Sequence, residues 1–216
     1  PLWADPRWAH FSAAYHNYQG DPELNNVGSV SFGESFGLLG GSAGKSGRWQ
    51  VDFQAAVFGI FDLDAESLDL INADYWVGIP VSYRNGNFST IARLFHQSSH
   101  LGDEFLLRRR AIDRVNLSYE SVDVKSSYEF DNGLRLYGGG GFIIHSGTGR
   151  GRVSFQAGAE WVGDPGWASG WLAPVAGVDV QSRHAADWLP EVSVLLGLRL
   201  ADPADHVRRI ELYSRY

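Results

Sequence analysis

The most regular feature of this chain is a strict alternation of apolar and polar residues. Trp49, Val51 and Phe53 share one face of an extended chain, whereas Gln50 and Asp52 share the other. Successive side chains of a β-strand point to opposite faces, so this period of two predicts a strand with one apolar and one polar face. The same alternation recurs along most of the chain, with long examples at 70–85, 150–163 and 189–201.

The alternation and the turns between its segments predict eleven strands and no helix. The strands are expected near 7–18, 26–40, 48–62, 70–85, 88–100, 113–130, 134–147, 150–163, 169–183, 189–201 and 206–216. Most of them span about 10 to 15 residues, whereas strands of globular proteins average about 5 or 6 and a strand tilted across a bilayer needs about 9–11. These lengths favour a sheet that spans a membrane.

The connections between the strands alternate in length. The sequences "RNGN" at 84–87 and "FDNGL" at 130–134 are signals for tight hairpins. The connections at 62–70, 99–112 and 183–189 are longer. Short turns on one rim and long loops on the other are typical of outer-membrane barrels, in which the short turns face the periplasm.

Together these patterns predict a single domain, residues 1–216, that forms an all-β, antiparallel transmembrane β-barrel of about twelve strands in a bacterial outer membrane. A twelfth strand is expected to be missing from this chain, or to lie in it undetected. The apolar faces are then expected to face lipid and the charged faces to line the bore. The alternative is a soluble β-sandwich or lipocalin-like barrel with its apolar faces in the core, and alternation alone does not separate the two.

Composition narrows the classes of function. The net charge of −7 argues against nucleic acid as a partner, and the absence of cysteine excludes disulfides, thiol catalysis and zinc–thiolate sites. No apolar run approaches the roughly 18 residues of a membrane-spanning helix. The chain begins at Pro1 without a signal peptide, so we expect it to start after processing or in mid-chain.

The stretch "RLFHQSSHLGDEF", residues 93–105, carries the candidate chemistry. If Arg93 faces the bore, then His96 and Ser98 face lipid, and the parity of the next strand places Asp113 beside them. Serine becomes a nucleophile when an imidazole takes its proton and a carboxylate orients the imidazole. We therefore expect Ser98 as nucleophile, His96 as base and Asp113 as orienting acid.

The His-Gln-Ser of residues 96–98 resembles the motif of two families of outer-membrane enzymes. The outer-membrane phospholipase A family is a twelve-stranded barrel with a His-x-Ser pair and an Asn on its outer wall, and the lipid A deacylases use a His-x-Ser with a Glu. The resemblance implies hydrolysis of acyl esters of phospholipid or lipid A, and a possible homodimer that completes the substrate clefts. Here Ser99 and His100 follow the motif in place of the phospholipase Ser-Asn-Gly ending, and Asp113 stands for its Asn.

A second resemblance covers nearly the whole chain. The sequences "NVGSVSFGESFGLL" at 26–39, "HQSSHLGDEFLL" at 96–107 and "VNLSYE" at 115–120 resemble a family of bacterial envelope proteins that carries only a domain-of-unknown-function label. This resemblance supports the barrel and implies no activity.

Two further groups of residues have a functional and a plain interpretation. Asp103 and Glu104 are candidate calcium ligands, because the phospholipase resemblance implies a calcium-assisted oxyanion hole, although two acids supply few of the six to eight oxygens of a calcium site. No cofactor is otherwise required. The basic run at 108–110 either contacts lipopolysaccharide phosphates or is simply solvated.

The inward faces are expected to carry charge. They hold Arg84, Arg93, Arg114, Arg135, Arg152 and Arg199 with Asp52, Asp74, Glu120 and Glu160, and also His10, His16 and His145. Such residues form either a selectivity lining or a charged network that plugs a narrow bore, and we favour the plug. Two functions thus remain: a lipid-facing serine hydrolase, or a non-enzymatic barrel that acts as a small pore or as a partner in an envelope complex.

Overall fold

The computed structural model describes residues 1–18, 24–108, 117–147, 151–166, 171–201 and 209–215. Its strands are β1 Ser12–Asn17, β2 Asn26–Ala43, β3 Gly47–Asp62, β4 Leu70–Asn85, β5 Phe88–Leu101, β6 Leu117–Glu129, β7 Leu134–Ser146, β8 Val153–Val162, β9 Leu172–Arg183, β10 Pro190–Ala201 and β11 Arg209–Arg215. A short helix, α1, covers Asp103–Arg108, and a single 3₁₀ turn covers His184–Ala186. In the described part of the chain no helix is long and apolar enough to cross a membrane.

The strands form one antiparallel meander in which each strand pairs with the next along the chain. β2 has 18 residues, and β3 and β4 have 16 each, far longer than ordinary globular strands. β1 and β11 stand at the two ends of the strand order, so the described residues give eleven strands of an incompletely closed barrel. The predicted all-β antiparallel barrel of about twelve strands is confirmed.

The polarity of this sheet is inverted relative to that of a soluble protein. Along β4, Asp74 and Trp76 are buried, while Tyr75 and Val77 between and after them are 48% and 40% exposed. The same order holds in β3 and β10, where the apolar alternate residues are the exposed ones; they include Phe53, Val192, Val194, Leu196, Leu198 and Leu200. The alternative of a soluble barrel with an apolar core is therefore wrong.

Residues 1–10, which we call the N-terminal segment, lie inside the sheet. Its contacts reach every strand from β2 to β10; the strand residues that it touches are Ser31, Phe58, Asp74, Arg93, Lys125, Arg135, Glu160, Gln181 and Arg199. A ten-residue segment meets nine strands only if the sheet wraps around it. The sequence pattern predicts a strand from residue 7, but β1 begins at Ser12 because the bore takes up the residues before it.

A charged network fills the bore around this segment. Arg93 donates to Asp123, with Nε to Oδ1 at 2.9 Å, and both side chains are buried. Arg135 reaches Glu160 at 3.2 Å, and Asp179 accepts hydrogen bonds from Tyr137 and from Gln156. These contacts confirm the charged network that was predicted to plug the interior.

Among the described residues, cavities lie on both sides of the N-terminal segment in the bore, and two of them are lined by its residues. The larger, of about 1220 Å³, opens on the side of the short turns and is lined by Trp3, Trp8, Gln50 and Ser82 among others. The smaller, of about 120 Å³, lies toward the long loops. Close approach of the segment needs small residues on the wall: a Cβ added to Gly177 would lie 2.9 Å from the Cβ of Ala4.

Candidate functional site

Strand β5 places His96 and Ser98 on the outer wall of the barrel. Arg93 is buried in the bore, Leu94 is 53% exposed, and the Phe95 ring stacks on Trp76 inside. Alternation then sends His96 and Ser98 outward with Leu94. Both side chains thus point outward, the direction that the sequence pattern predicts. Both residues lie in the half of β5 nearer the long loops.

Glu120 on β6 is the carboxylate that meets His96. The two residues are directly opposite each other in the β5–β6 register, and the Nδ1 of His96 lies 2.9 Å from Oε1 of Glu120. The sequence pattern predicts Glu120 in the bore, and this prediction is wrong. Tyr119 faces inward, where its hydroxyl donates to Gln97 at 2.9 Å, so the parity of β6 turns Glu120 outward.

A second histidine reaches the same carboxylate from β7. The Nδ1 of His145 lies 2.9 Å from Oε2 of Glu120. In the β6–β7 register, Ser121 pairs with Ile143 while Glu120 pairs with His145, so Ile144 is an extra residue in a β-bulge. The bulge shifts the alternation by one and brings His145 to the outer wall, where its side chain is 77% exposed. The prediction of His145 on an inward face is therefore wrong.

Ser98 lies between Tyr75 of β4 and Ser118 of β6 in the sheet register. The Cα atoms of His96 and Ser98 are about 7 Å apart, as for any i, i+2 pair on a strand. Among the described residues, the hydrogen bonds of His96 include the one to Glu120 and none to Ser98. Asp113, the predicted orienting acid, lies outside the described residues.

The protonation of this arrangement follows from the donors and acceptors. A carboxylate only accepts hydrogen bonds, so each histidine donates an Nδ1–H to one oxygen of Glu120. The neutral His96 ring then carries a lone pair on Nε2, the nitrogen that remains for a serine hydroxyl. The outer wall thus carries a histidine–carboxylate pair, with Ser98 two residues farther along the same face.

The remaining candidate residues lie on the long-loop rim. Asp103 and Glu104 form the first turn of α1 and are exposed. Within the residues that the structure describes, no group of three or more His, Asp or Glu side chains is placed to hold a metal ion. Calcium at Asp103 and Glu104 stays a prediction.

Arg108 has a different role from the two predicted for the basic run. Its guanidinium binds Asp62 at 3.0 Å and Asp69 at 2.7 Å, and both of these carboxylates are buried. It therefore ties α1 to the loop between β3 and β4. The other two arginines of the run lie outside the described residues.

Sequence reasoning missed the two residues that complete the site. The apolar character of Leu117 and Tyr119 suggests that both face lipid, which would place Glu120 between them in the bore. His145 was assigned to the bore because a bulge of one residue leaves no mark in an alternation pattern. The useful signal lies just after Glu120. In a regular strand the apolar Val122 and Val124 share a face with Glu120, so this face is expected to be the lipid-facing one.

The comparisons with known proteins cover solved structures, curated proteins and family models. The chain is similar to the β-domain of the Bordetella autotransporter BrkA, with 14% sequence identity and a TM-score of 0.44 over 95% of this chain and 87% of that chain. No curated protein matches the chain. The family described as protein of unknown function, DUF1207, matches residues 1–216. The predicted membership of a domain-of-unknown-function family is thereby confirmed, and this chain belongs to the DUF1207 family.

Proposed function

We propose that this protein is an outer-membrane barrel whose outer wall carries a serine hydrolase for acyl esters of membrane lipid. The membrane location is supported by an exposed wall of apolar side chains on strands of bilayer-spanning length. Without lipid around it, such a wall is unfavourable in water. The long loops then face the cell exterior, and the site lies in the half of the wall nearer to them.

The observation that carries the hydrolase is the contact between His96 and Glu120 on a lipid-facing wall. Two polar side chains at this position cost free energy unless they satisfy each other or serve a function. Their pairing leaves Nε2 of His96 on the face that also holds Ser98. The arrangement has the composition of the lipid A deacylase site, a His-x-Ser pair with a Glu, and so Glu120 takes the role first predicted for Asp113.

The reaction follows from this geometry. Nε2 of His96 accepts the proton of the Ser98 hydroxyl as its Oγ bonds to the ester carbonyl carbon, and Glu120 stabilises the imidazolium that forms. The tetrahedral intermediate collapses with cleavage of the ester C–O bond, and His96 returns the proton to the departing alkoxide. A water molecule, activated by the same imidazole, then hydrolyses the acyl-serine and releases the fatty acid.

The substrate is a lipid ester of the outer leaflet, either phospholipid or lipid A. Both present an acyl ester at the boundary between headgroup and hydrocarbon, which is the level of a polar patch above an apolar wall. Val77 lies beside His96, and Leu94 and Val122 lie below it. All three are exposed and suit contact with an acyl chain. The lipid itself is the partner that the site requires, and dimerisation remains a proposal from the phospholipase resemblance.

A non-enzymatic barrel is the second candidate, and one observation favours its structural form over a pore. The N-terminal segment and its charged partners occupy the bore between the two cavities. A barrel closed in this way suits a structural subunit of an envelope complex better than a channel.

The test is hydrolysis by protein refolded in detergent and supplied separately with phospholipid vesicles and with lipopolysaccharide. We expect release of fatty acid from one of the two lipids, and a loss of about 10⁴-fold or more in kcat for Ser98→Ala and His96→Ala. Ser126→Ala is the matched control, since Ser126 lies lower on the same wall with its hydroxyl bonded to Thr90 at 3.0 Å.

The same assay decides which carboxylate orients His96. We expect Glu120→Ala to lower kcat by about 10⁴-fold and Asp113→Ala to leave it unchanged. The reverse result would restore Asp113 as the orienting acid. Equal activity of wild type and Ser98→Ala, or no activity in wild type on either lipid, would remove the hydrolase and leave the structural barrel.

A further inference from the structure

The bulge in β7 has a chemical consequence at the proposed site. Continuous alternation from the buried Tyr137 would send His145 into the bore. The extra residue Ile144 instead brings His145 beside Glu120 on the lipid-facing wall. An exposed histidine on this wall is unfavourable unless its polar atoms are used, and its Nδ1 is used to bind Oε2 of Glu120 at 2.9 Å.

Both oxygens of Glu120 are therefore held, each by a different strand. His96 on β5 holds Oε1 and His145 on β7 holds Oε2. A glutamate has three rotatable side-chain bonds, and its terminal torsion is broad, so a carboxylate held at one oxygen rotates easily. A second donor in a fixed position removes that freedom and also satisfies an oxygen that lipid cannot solvate.

We propose that His145 is a positioning residue of the hydrolase, holding Glu120 so that its Oε1 stays directed at Nδ1 of His96. This inference rests on the proposed function and adds to it a residue that neither enzyme family's His-x-Ser motif includes. His145 acts through Glu120 and does not contact the scissile ester. Second-layer residues that orient a functional group in this way typically contribute about 10-fold to 100-fold to activity.

The residues around Glu120 leave few other partners for its carboxylate. Opposite His96 on β4 stands the apolar Val77, and the neighbours of Glu120 two positions away on its own strand are Ser118 and Val122. In the described part of these strands, His96 and His145 are the ionisable side chains that face Glu120. Removing His145 therefore removes the hydrogen bond that Oε2 receives from a described residue.

The test compares two substitutions of His145 with one of another outward histidine. His145→Leu removes the donor, whereas His145→Asn keeps an N–H on the atom bonded to Cγ, as Nδ1 is in histidine. His100→Leu is the matched control. The centroid of the His100 ring lies 5.7 Å from that of the Tyr75 ring, and His100 makes no hydrogen bond to Glu120. Each variant is assayed on the lipid that wild type hydrolyses, and its folding is checked by the mobility of unheated protein on a denaturing gel.

We expect His145→Leu to lower kcat by 10-fold to 100-fold with KM unchanged, His145→Asn to recover most of that loss, and His100→Leu to match wild type. A kcat for His145→Leu within 2-fold of wild type, in a protein that Ser98→Ala inactivates, would overturn this inference alone. Equal losses in His145→Leu and His145→Asn would also overturn it, since they would mean that packing and not the hydrogen bond matters. A wild type as inactive as Ser98→Ala would overturn the proposed function and this inference together.

Discussion

The N-terminal segment is held in the bore by a buried ion pair whose loss we expect to be costly. The carboxylate of Asp5 accepts a hydrogen bond from Nζ of Lys125 at 3.0 Å, and the two side chains are 2% and 8% exposed. The backbone N–H of Arg7 and the amide of Gln181 also donate to Asp5, at 2.9 and 3.4 Å. Asp5→Ala removes all three contacts and leaves the Lys125 ammonium buried.

The magnitude follows from the distances. At an effective dielectric constant of about 20, two unit charges separated by the 3.0 Å of this pair attract by about 5.5 kcal/mol. Part of the loss is offset, because Asp123 lies 3.8 Å from the same ammonium, although its carboxylate already binds Arg93. Breaking a buried pair from one side costs about 3–5 kcal/mol, and with Asp123 nearby we expect about 3 kcal/mol for Asp5→Ala.

The assay is urea unfolding of protein refolded in lipid vesicles, followed by tryptophan fluorescence. Asp5→Ala should lower the free energy of unfolding by about 3 kcal/mol, and Asp5→Ala with Lys125→Met should lower it by less than the sum of the two single changes. Glu191→Ala is the control, because its partner Arg183 forms an exposed pair that contributes less than about 1 kcal/mol. A loss for Asp5→Ala no larger than that of the control, with no coupling to Lys125, would refute the reasoning.

Three further predictions concern the N-terminal segment. Burial alone would raise the pKa of Asp5, but the charges of Lys125 and Arg93 and the hydrogen bonds to the carboxylate together outweigh burial and hold that pKa below its ordinary 3.8. The stabilisation by Asp5 is thus complete above that value and is lost as the pH falls through the lowered pKa. The difference in unfolding free energy between wild type and Asp5→Asn should therefore narrow below about pH 4, and a constant difference would contradict the pairing. Gly177→Ala places a Cβ 2.9 Å from that of Ala4 and should lower the free energy of unfolding by about 1–3 kcal/mol. Gly138→Ala, whose Cβ meets nothing closer than 3.6 Å, should not lower it. Equal effects of the two substitutions would show that the N-terminal segment moves aside to accommodate the added Cβ. Deleting the N-terminal segment should join the two cavities and raise single-channel conductance in planar bilayers, and an unchanged conductance would mean that the bore is closed elsewhere.

The regular strands were predictable because a bilayer imposes a simple rule on them. In β4, whose predicted range of 70–85 matches Leu70–Asn85, every second residue must face hydrocarbon and the pattern shows it directly. The direction of the polarity was predictable from strand length and turn asymmetry, and the exposed Tyr75 beside the buried Asp74 confirms it.

The candidate site was predictable only in part. The orientation of His96 and Ser98 follows from the charge of Arg93, which belongs in the bore. Glu120 was missed because a tyrosine is found on either the lipid-facing or the inward face of a barrel strand. Tyr119 faces inward, where its hydroxyl makes a hydrogen bond, and Glu120 therefore faces outward. His145 was missed because a single bulged residue reverses every assignment beyond it.

The position of residues 1–10 was not predictable from local pattern. Trp8 falls in the predicted first strand near 7–18, yet Trp3 and Trp8 both lie in the bore, against the guanidinium groups of Arg199 and Arg93 at 5.7 and 4.9 Å. Such contacts join residues that are far apart in the sequence, and no window of neighbouring residues contains them.

The location of the chain's first residues constrains how the protein assembles. Asp5 and Ala4 find partners 120 and 156 residues downstream, and Asp5 also reaches a residue 176 positions away. These contacts can form only when β6, β8 and β9 are in place around the N-terminal segment. Contacts of such long sequence separation make folding slow, so we expect the docking of the N-terminal segment to be a late step of folding.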